Sequence, residues 1–272
     1  MGKNIYIGVD NVARKVKQPI IGVDNIARNV KSGFIGVDNV ARQFFSGGTP
    51  ISNFAVGTSV YINENGVRQE YLIVNQGIPS GSSLYDSSCN GTWLLRKYII
   101  ESIKFAGTSG SQNAYEGSNA QTWLSTTMLS KFDTDVQNVI KEVKIPYNDK
   151  GQLGTVKTGA NGFSCKLFLL SLFEAGLSSA PNNYVPVEGA KLDYFESGAI
   201  ATSSPGRIAY LNGTATGWWL RTPYKLDAYM EGVITSEGSL SWTSGSGTRG
   251  IRPALIMPFE TLVDSDMNII AA

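Results

Sequence analysis

The stretch that decides the fold is "WWLRTPYKLDAYMEGVITSEGSLSWTSGSGTRGIRPALIMP", residues 218–258. Its two ends, "WWLRTP" and "GIRPALIMP", carry large apolar side chains together with prolines, Arg221 and Arg252. We expect both ends to be anchored in the protein. The residues between them show neither helical nor two-residue apolar periodicity, so core packing does not explain their selection. The stretch therefore divides into a fixed framework and a displayed surface.

The middle of this stretch has the composition of a recognition surface. Tyr and Trp give rigid contact area at low entropic cost, while Ser, Gly and Asp give adaptable hydrogen bonding. We expect these side chains to bind a ligand: Tyr224, Lys225, Asp227, Tyr229, Glu231, Glu237, Ser239, Ser241, Trp242, Thr243, Ser244, Ser246 and Thr248. The plainer alternative has Trp242 folded onto its own sheet and the Ser/Gly run as an ordinary surface loop.

The segment "GVITSEGSL" (232–240) predicts a strand pair inside this surface. Val233 and Ile234 belong to the first strand, and Ser239 and Leu240 to the second. Ser236, Glu237 and Gly238 supply the turn between them.

Composition restricts the chemistry of the 272-residue chain. Lys plus Arg is 23 and Asp plus Glu is 22, so no overall field attracts nucleic acid or an acidic membrane. Histidine is absent, which removes the commonest general base and metal ligand. Cys89 and Cys165 lie far apart without a C-x-x-C motif, and are read either as two buried thiols or as one disulfide. We therefore assign no catalytic residue, metal or cofactor.

Other candidate sites are weaker. Asp149, Asp264 and Asp266 do not match the spaced carboxylates of an EF-hand loop, and we interpret them as solvated loop residues. No apolar run reaches the about 18 to 20 residues that cross a bilayer, and the start "MGKNIYIGVD" lacks the apolar region of a secretion signal. We expect no membrane insertion.

The first 48 residues are an internal repeat. The units "IGVDNVARKVKQPI" (7–20), "IGVDNIARNVKSGF" (21–34) and "IGVDNVARQFFSGG" (35–48) follow each other without a gap. Each places Asp-Asn between two runs rich in Val and Ile, which predicts a two-residue β-hairpin with Val9 paired to Val12 across Asp10 and Asn11.

Isolated hairpins are marginal in water, so we expect the three copies to stack on each other or lie against another chain. Stacked hairpins would make residues 1–48 an arm, and a homotrimer is compatible with it by analogy. A simple spacer is the alternative. "FFSGGTPISN" (44–53) marks the boundary, so that residues 49–272 form the ligand-binding domain.

The remaining segments predict mixed structure. Residues 58–74 are expected to form a strand, an Asn-Gly-bearing turn and a strand, and residues 92–100 a buried strand. Residues 165–173 are expected to be another buried strand, although their unbroken apolar run fits a helix equally well. Residues 115–132 are the best helix, with Ser118 and Gln121 as a capping box. A second helix is expected over residues 135–143 after Thr134. The fold class is therefore α+β, with two helices on an antiparallel sheet.

The chain also resembles a known family. The stretches "YEGSNAQTWLS" (115–125), "KLFLLS" (166–171) and the two ends of residues 218–258 are similar to a bacterial and phage domain family without assigned activity. Its hallmark is W-W-L-R-[ST]-P, a divergent stretch, and G-[VI]-R-P-A-L. That family is similar to the C-type lectin fold of formylglycine-generating enzymes and of the variable proteins of diversity-generating retroelements.

The resemblance implies which residues form the framework. The matching positions are Trp218, Trp219, Leu220, Arg221, Gly250, Arg252 and Pro253. The residues between them correspond to the patch that the variable proteins vary and display. The chain lacks the Glu-Pro-Asn, Gln-Pro-Asp and Trp-Asn-Asp motifs of calcium-dependent lectins, and neither cysteine lies in the C-terminal segment where formylglycine-generating enzymes place theirs.

The function implied is that of a non-enzymatic receptor-binding protein. Its ligand would be a cell-surface protein or glycan, and its place a phage tail, a prophage tail or the bacterial cell surface. The repeats are similar to those of phage and prophage structural proteins, which implies that residues 1–48 serve attachment or assembly by contacting other virion or surface structural proteins. Two alternatives stay open: an enzyme of the formylglycine-generating or sugar-cleaving type, and a purely structural virion or surface protein.

Overall fold

The structure is a computed structural model that describes residues 48–106, 113–178, 184–199 and 202–270 in full. Within residues 6–46 it describes the backbone of six strands. These are β1 (Tyr6–Val9), β2 (Val12–Lys15), β3 (Ile20–Val23), β4 (Ile26–Asn29), β5 (Ser32–Val37) and β6 (Val40–Ser46).

The main body contains many short strands. They are β7 (Thr49–Pro50), β8 (Ser59–Glu64), β9 (Val67–Gln76), β10 (Thr92–Arg96), β11 (Ser102–Lys104), β12 (Val143–Ile145), β13 (Tyr147–Asn148), β14 (Val156–Lys157), β15 (Phe163–Cys165), β16 (Leu167–Phe168), β17 (Leu177–Ser178), β18 (Gly198–Ala199), β19 (Tyr210–Leu211), β20 (Thr214–Ala215), β21 (Trp218–Pro223), β22 (Met230–Ile234), β23 (Leu240–Ser244), β24 (Thr248–Gly250), β25 (Ala254–Met257), β26 (Leu262–Val263) and β27 (Ile269–Ile270).

Each of the three repeats forms a two-stranded antiparallel hairpin. Val9 pairs with Val12, and the equivalent pairs in the next two units are Val23 with Ile26 and Val37 with Val40. The pairing predicted from the first repeat is thus confirmed. The predicted turn residues Asp10 and Asn11 lie outside the described residues. The stacking and attachment roles of residues 1–48 stay predictions.

The first large sheet has the strand order β16-β25-β10-β9-β8, and every neighbouring pair in it is antiparallel. The β8–β9 hairpin turns at Asn65 and Gly66, both with positive φ, as the Asn-Gly sequence predicts. Strand β10 is buried along its whole length. The buried strand expected over residues 165–173 is much shorter, since only Leu167–Phe168 pairs with β25.

The second large sheet holds the first end of the decisive stretch and the start of the second end, whose residues Ala254–Met257 form β25 of the first sheet. Its order is β11-β24-β21-β22-β23, with β21 and β24 parallel and the other neighbours antiparallel. Strand β21 is "WWLRTP" and is buried throughout. The strand pair predicted within residues 232–240 is confirmed as β22 and β23, and its turn is closed by the Thr235 N–H donating to the Ser239 carbonyl at 2.8 Å.

One continuous helical segment of 13 residues lies beside these sheets. It begins as α1 (Asn119–Trp123), continues as one wider π-helical stretch (Leu124–Met128) and ends as a 3-10 turn (Leu129–Lys131). The Ser118 hydroxyl accepts from the Gln121 N–H at 3.0 Å, which confirms the predicted cap. Ala120, Leu124 and Met128 are buried, so this face of the helical segment packs into the core.

The predicted fold class of α+β with two helices is wrong. Short strands in several sheets dominate the architecture, and the described residues form an all-β fold in which only one helix is longer than six residues. The second helix, α2 (Thr134–Val139), has only six residues, and its N-cap is Asp133 rather than Thr134. Beyond it, Val143 and Ile145 turn inward with Lys144 between them, and the chain pairs as β12 with β15. Strand pairing with its two-residue period overrode the helical propensity of this segment.

Both large sheets contribute to the hydrophobic core. Trp93 from the first sheet and Trp218 and Trp219 from the second are fully buried. Within the described residues, no helix is long and apolar enough to cross a membrane.

Candidate functional site

The framework is centred on the buried Arg221 of β21. Its five N–H groups have five acceptors: both carboxylate oxygens of Glu174, at 2.6 and 2.7 Å, and the carbonyl oxygens of Pro146, Leu169 and Glu188. Burial alone would lower the pKa of Arg221, but the charge of Glu174 raises it above its usual value. Arg221 therefore stays charged and joins β21 to three separate loop segments.

The two tryptophans of β21 are fixed in the same way. The Trp218 Nε1–H donates to the Arg207 carbonyl and the Trp219 Nε1–H to the Ile103 carbonyl, both at 2.9 Å. The Arg252 guanidinium lies 5.1 Å from the centre of the Trp218 ring, and its Nε–H donates to the Arg96 carbonyl. Gly250 and Pro253 are also buried. Leu220 is buried as well, so all seven residues assigned to the framework are inside the protein.

Above this framework lies a surface that we call the aromatic patch, defined as Tyr184, Tyr224, Leu226, Tyr229 and Trp242. The Tyr224 and Trp242 rings lie 4.8 Å apart between centroids, tilted by 33°. Tyr184 extends the row, with its ring 6.4 Å from that of Tyr224. Tyr229 is 51% exposed and Leu226 is 55% exposed. Together they present a row of rings beside two exposed side chains.

Trp242 is half-buried. Its position is therefore intermediate between the two alternatives that the sequence allows, a ring fully exposed to a ligand and a ring folded onto its own sheet. It lies on β23 directly opposite Gly232 of β22. A Cβ atom at Gly232 would sit 3.4 Å from the indole ring, so the missing side chain leaves room for the indole to lie across the neighbouring strand. One side of the ring thus packs on the sheet, while part of the side chain reaches water.

The loop from Tyr224 to Met230 is held by one buried side chain. The Asn113 amide nitrogen lies within hydrogen-bonding distance of the carbonyl oxygens of Tyr224, Asp227 and Met230, at 3.1, 3.1 and 2.6 Å. The Lys225 ammonium donates to the Gly154 carbonyl at 2.8 Å. The Asp227 carboxylate accepts from the Tyr229 N–H at 2.9 Å and so orders the loop from within. These bonds fix the loop before any ligand arrives.

The other predicted binding residues divide by exposure. Those exposed are Tyr229, Glu237, Ser241, Ser246 and Thr248, and those half-buried are Tyr224, Lys225, Asp227, Ser239, Trp242, Thr243 and Ser244. Glu231 is different, since it is fully buried on β22. Its assignment as a ligand-binding residue is wrong, because its neighbours cover it completely.

Sequence reasoning missed three residues of this region. Tyr184 is 40% exposed, and its ring lies 6.4 Å from that of Tyr224, although Tyr184 comes 40 positions earlier in the chain. Leu226 was passed over because a single apolar residue in a polar run carries no signal. Asn113 acts through long-range bonds, and no local pattern marks it.

Two buried carboxylates lie behind the patch. Burial raises the pKa of Glu188 to about 8, despite the opposing charge of Arg221. Burial also raises the pKa of Glu231 well above its usual value, and the negative charge of Glu188 adds to this rise. Both oxygens of Glu231 and Oε1 of Glu188 lack a hydrogen-bond partner among the described residues.

Among the described residues, the two cysteines resist ionisation and the acidic side chains form no metal-binding group. Cys89 and Cys165 are both free thiols. Burial raises the pKa of Cys89 to about 12 and also raises the pKa of Cys165. In the part of the chain that the structure describes, no three or more Asp, Glu or Cys side chains gather into a metal-binding group.

Comparison with known proteins identifies a family and no more. Residues 90–259 match the family described as Domain of unknown function (DUF6273). This match covers more than half of the chain, so the chain belongs to that family. No curated protein matches it significantly, and neither does any solved structure. The matched region includes the 13-residue helical segment, the framework and the whole aromatic patch.

The Arg221–Glu174 pair yields a stability prediction. Glu174→Gln keeps the shape of the side chain but leaves the buried Arg221 charge uncompensated. We expect the free energy of unfolding in urea to fall by about 3 to 5 kcal/mol. The control is Glu70→Gln, which removes a pair with the 39% exposed Lys97 side chain and should cost about 1 kcal/mol or less. Equal losses in the two variants would show that Arg221 is not a central support.

The buried carboxylates of Glu188 and Glu231 yield a prediction for the pH dependence of stability. The measurement is made in chelator, so that no metal ion neutralises either carboxylate. Because the folded protein holds these protons more tightly than the unfolded chain, stability should fall as pH rises from about 4.5 through about 8. For Glu188 this loss is at most about 5 kcal/mol. Glu188→Gln and Glu231→Gln should flatten the profile and unfold at higher urea than wild type at pH 9.

The matched control for this pH profile is Glu237→Gln, which changes an exposed carboxylate on the β22–β23 turn and should keep the wild-type slope. Stability that rises between pH 5 and 9 in the wild-type protein would show that the two buried groups are compensated in solution.

Proposed function

We propose that this protein is a non-enzymatic ligand-binding protein and that the aromatic patch is its contact surface. The observation that carries the proposal is the row of Tyr184, Tyr224 and Trp242 rings, with Tyr229 and Leu226 exposed beside it. Single exposed apolar residues are ordinary, whereas a group of them on one surface marks an interaction site.

The chemistry of these side chains suits recognition. Tyrosine and tryptophan rings bury a large area on binding and lose little conformational entropy. Exposed Ser241, Ser246 and Thr248 supply hydroxyl groups that can adapt to a partner. The Ser244 and Ser246 hydroxyls already lie 2.8 Å apart, so a ligand would meet a partly ordered set of donors and acceptors.

The support beneath the patch adds to the argument. Asn113, the Lys225–Gly154 bond and the Asp227 carboxylate order the loop that carries Tyr224, Leu226 and Tyr229. Ordering a loop in advance removes an entropic cost that binding would otherwise incur.

The setting of this function extends the proposal and rests on the sequence. The ligand is a cell-surface protein or glycan, and the protein belongs to a phage or prophage tail or to a bacterial surface. The repeats of residues 1–48 attach it to structural proteins, with a trimer as the assembly. The patch is of the kind varied by diversity-generating retroelements. Related sequences that differ mainly between residues 224 and 248 would support this over a purely structural role.

The enzymatic alternative has little support in the described residues. The high pKa of Cys89, raised by burial, keeps its sulfur protonated at neutral pH and makes it a poor nucleophile. Glu188 and Glu231 influence each other electrostatically, but both are shielded from solvent and so from a substrate.

The test compares matched tyrosine variants in binding to intact bacteria and to a glycan array. Tyr229→Ala, and Tyr229→Ala combined with Trp242→Ala, should reduce binding by about 30-fold or more, as expected when a side chain contributes about 2 kcal/mol. Tyr229→Ala should leave Tm almost unchanged, because its ring is half in water. The control is Tyr210→Ala, which removes an equally exposed tyrosine (43%) from the separate β19–β20 hairpin.

Two results would contradict the proposal. Unchanged binding by Tyr229→Ala and by the double variant would place the contact surface elsewhere. Equal loss in Tyr210→Ala would show that the effect is not specific to the patch.

A further inference from the structure

The carboxylates of Glu188 and Glu231 are buried with few partners that would stabilise their negative charges. Both are fully buried, and three of their four carboxylate oxygens make no hydrogen bond of good geometry among the described residues, although the Thr222 hydroxyl lies near enough to Glu188 to lower its pKa. The fourth, Glu188 Oε2, accepts from the Asn148 N–H at 2.8 Å. A buried carboxylate is costly unless it is paired, protonated or bound to a cation.

No described cation is available to compensate them. The charge of Arg221 lowers the pKa of Glu188, but the Arg221 guanidinium is already bound to both carboxylate oxygens of Glu174. Arg221 and Glu174 neutralise each other. Once ionised, Glu188 and Glu231 add two negative charges to a region that excludes water, and a single divalent cation would balance them and favour their charged forms over the protonated ones.

A shared proton does not fit this geometry. Since neither oxygen of Glu231 has a hydrogen-bond partner, the two carboxylates are not hydrogen-bonded to each other, although their charges interact. A third buried polar group stands beside Glu188. The Asn148 side-chain nitrogen, on a residue that is only 1% exposed, is also without a partner among the described residues. Such a group of buried unsatisfied atoms points to an unrecorded water or ion.

We propose that Glu188 and Glu231 bind a divalent, oxygen-preferring cation such as Ca²⁺ in the layer directly behind the aromatic patch. Carboxylate oxygens are the preferred ligands of such ions. The unpartnered oxygens supply three ligands, two from Glu231 and one from Glu188, and backbone carbonyls and water complete the shell. The site needs only two carboxylates and so differs from groups of three or more acids.

The position of the site gives the cation a structural role. Glu231 lies on β22, directly after Met230, whose carbonyl accepts from Asn113. Its strand neighbour Pro223 leads straight into Tyr224. A cation that joins Glu231 to Glu188 would fix the base of the loop that carries the patch. This inference is independent of ligand binding and holds or fails by itself.

The first experiment measures metal directly on the full chain. The protein is unfolded in chelator, refolded with Ca²⁺, Mg²⁺ or Mn²⁺, passed through gel filtration at pH 8 and assayed by elemental mass spectrometry. We expect about one retained equivalent of at least one of these ions. Glu231→Gln and Glu188→Gln should lose it, and the exposed Glu237→Gln should keep it. No retention in wild type, or equal retention in all variants, would overturn the proposal.

A second measurement uses the wild-type chain alone, so that it does not depend on whether a variant folds. Thermal unfolding is followed from pH 5 to pH 9 in chelator and in millimolar Ca²⁺, Mg²⁺ or Mn²⁺. Bound metal should raise Tm by about 5 °C or more at pH 8.5, where both carboxylates are charged, and much less at pH 5. Identical profiles with and without each ion would show that protons or water satisfy these groups, and would overturn the proposal.

Discussion

The structure depends on one buried ion pair, that of Arg221 and Glu174. A fully buried arginine is costly unless its donors are satisfied, and each of the five N–H groups of Arg221 has an acceptor. Two of those acceptors are the carboxylate oxygens of Glu174, which also accept from the Tyr85 hydroxyl and the Ser171 N–H. The network therefore fixes loops that have little regular structure of their own.

This constraint explains how an irregular, loop-rich protein can hold a defined surface. Many of its strands have two or three residues and cannot order the chain by sheet pairing alone. Buried polar side chains order the loops instead, because Arg221 and Arg207 each bind several carbonyl groups and Asn113 fixes the patch loop. The aromatic patch then stands on fixed supports, and its own side chains contribute little to the fold except through the inner side of Trp242.

The sequence predicted the elements that obey local rules. The hairpin of β8 and β9, the Ser118 cap and the β22–β23 pair each follow from a few adjacent residues, and each is present. The second helix failed because Val143 and Ile145 found a partner strand, which depends on residues about 20 positions away. Local patterns cannot register such distant pairing.

The candidate site was predictable in outline only. The polar, aromatic composition of residues 224–248 located the surface, but composition cannot tell which side of a strand a residue faces. Glu231 is therefore buried where an exposed residue was expected, and Tyr184 joins the patch from a distant segment. Because Glu231 is buried, its carboxylate interacts with that of Glu188 and not with solvent, and the two together form the proposed cation site.

A saturation scan of residues 218–258, read out as resistance of the folded protein to protease, tests the division between framework and displayed surface most directly. The account predicts that Trp219 and Arg221 accept almost no replacement, whereas Tyr229, Ser241, Ser246 and Thr248 accept most residue types and stay folded. A tolerance that is uniform along the stretch, or lowest at those four exposed positions, would contradict it.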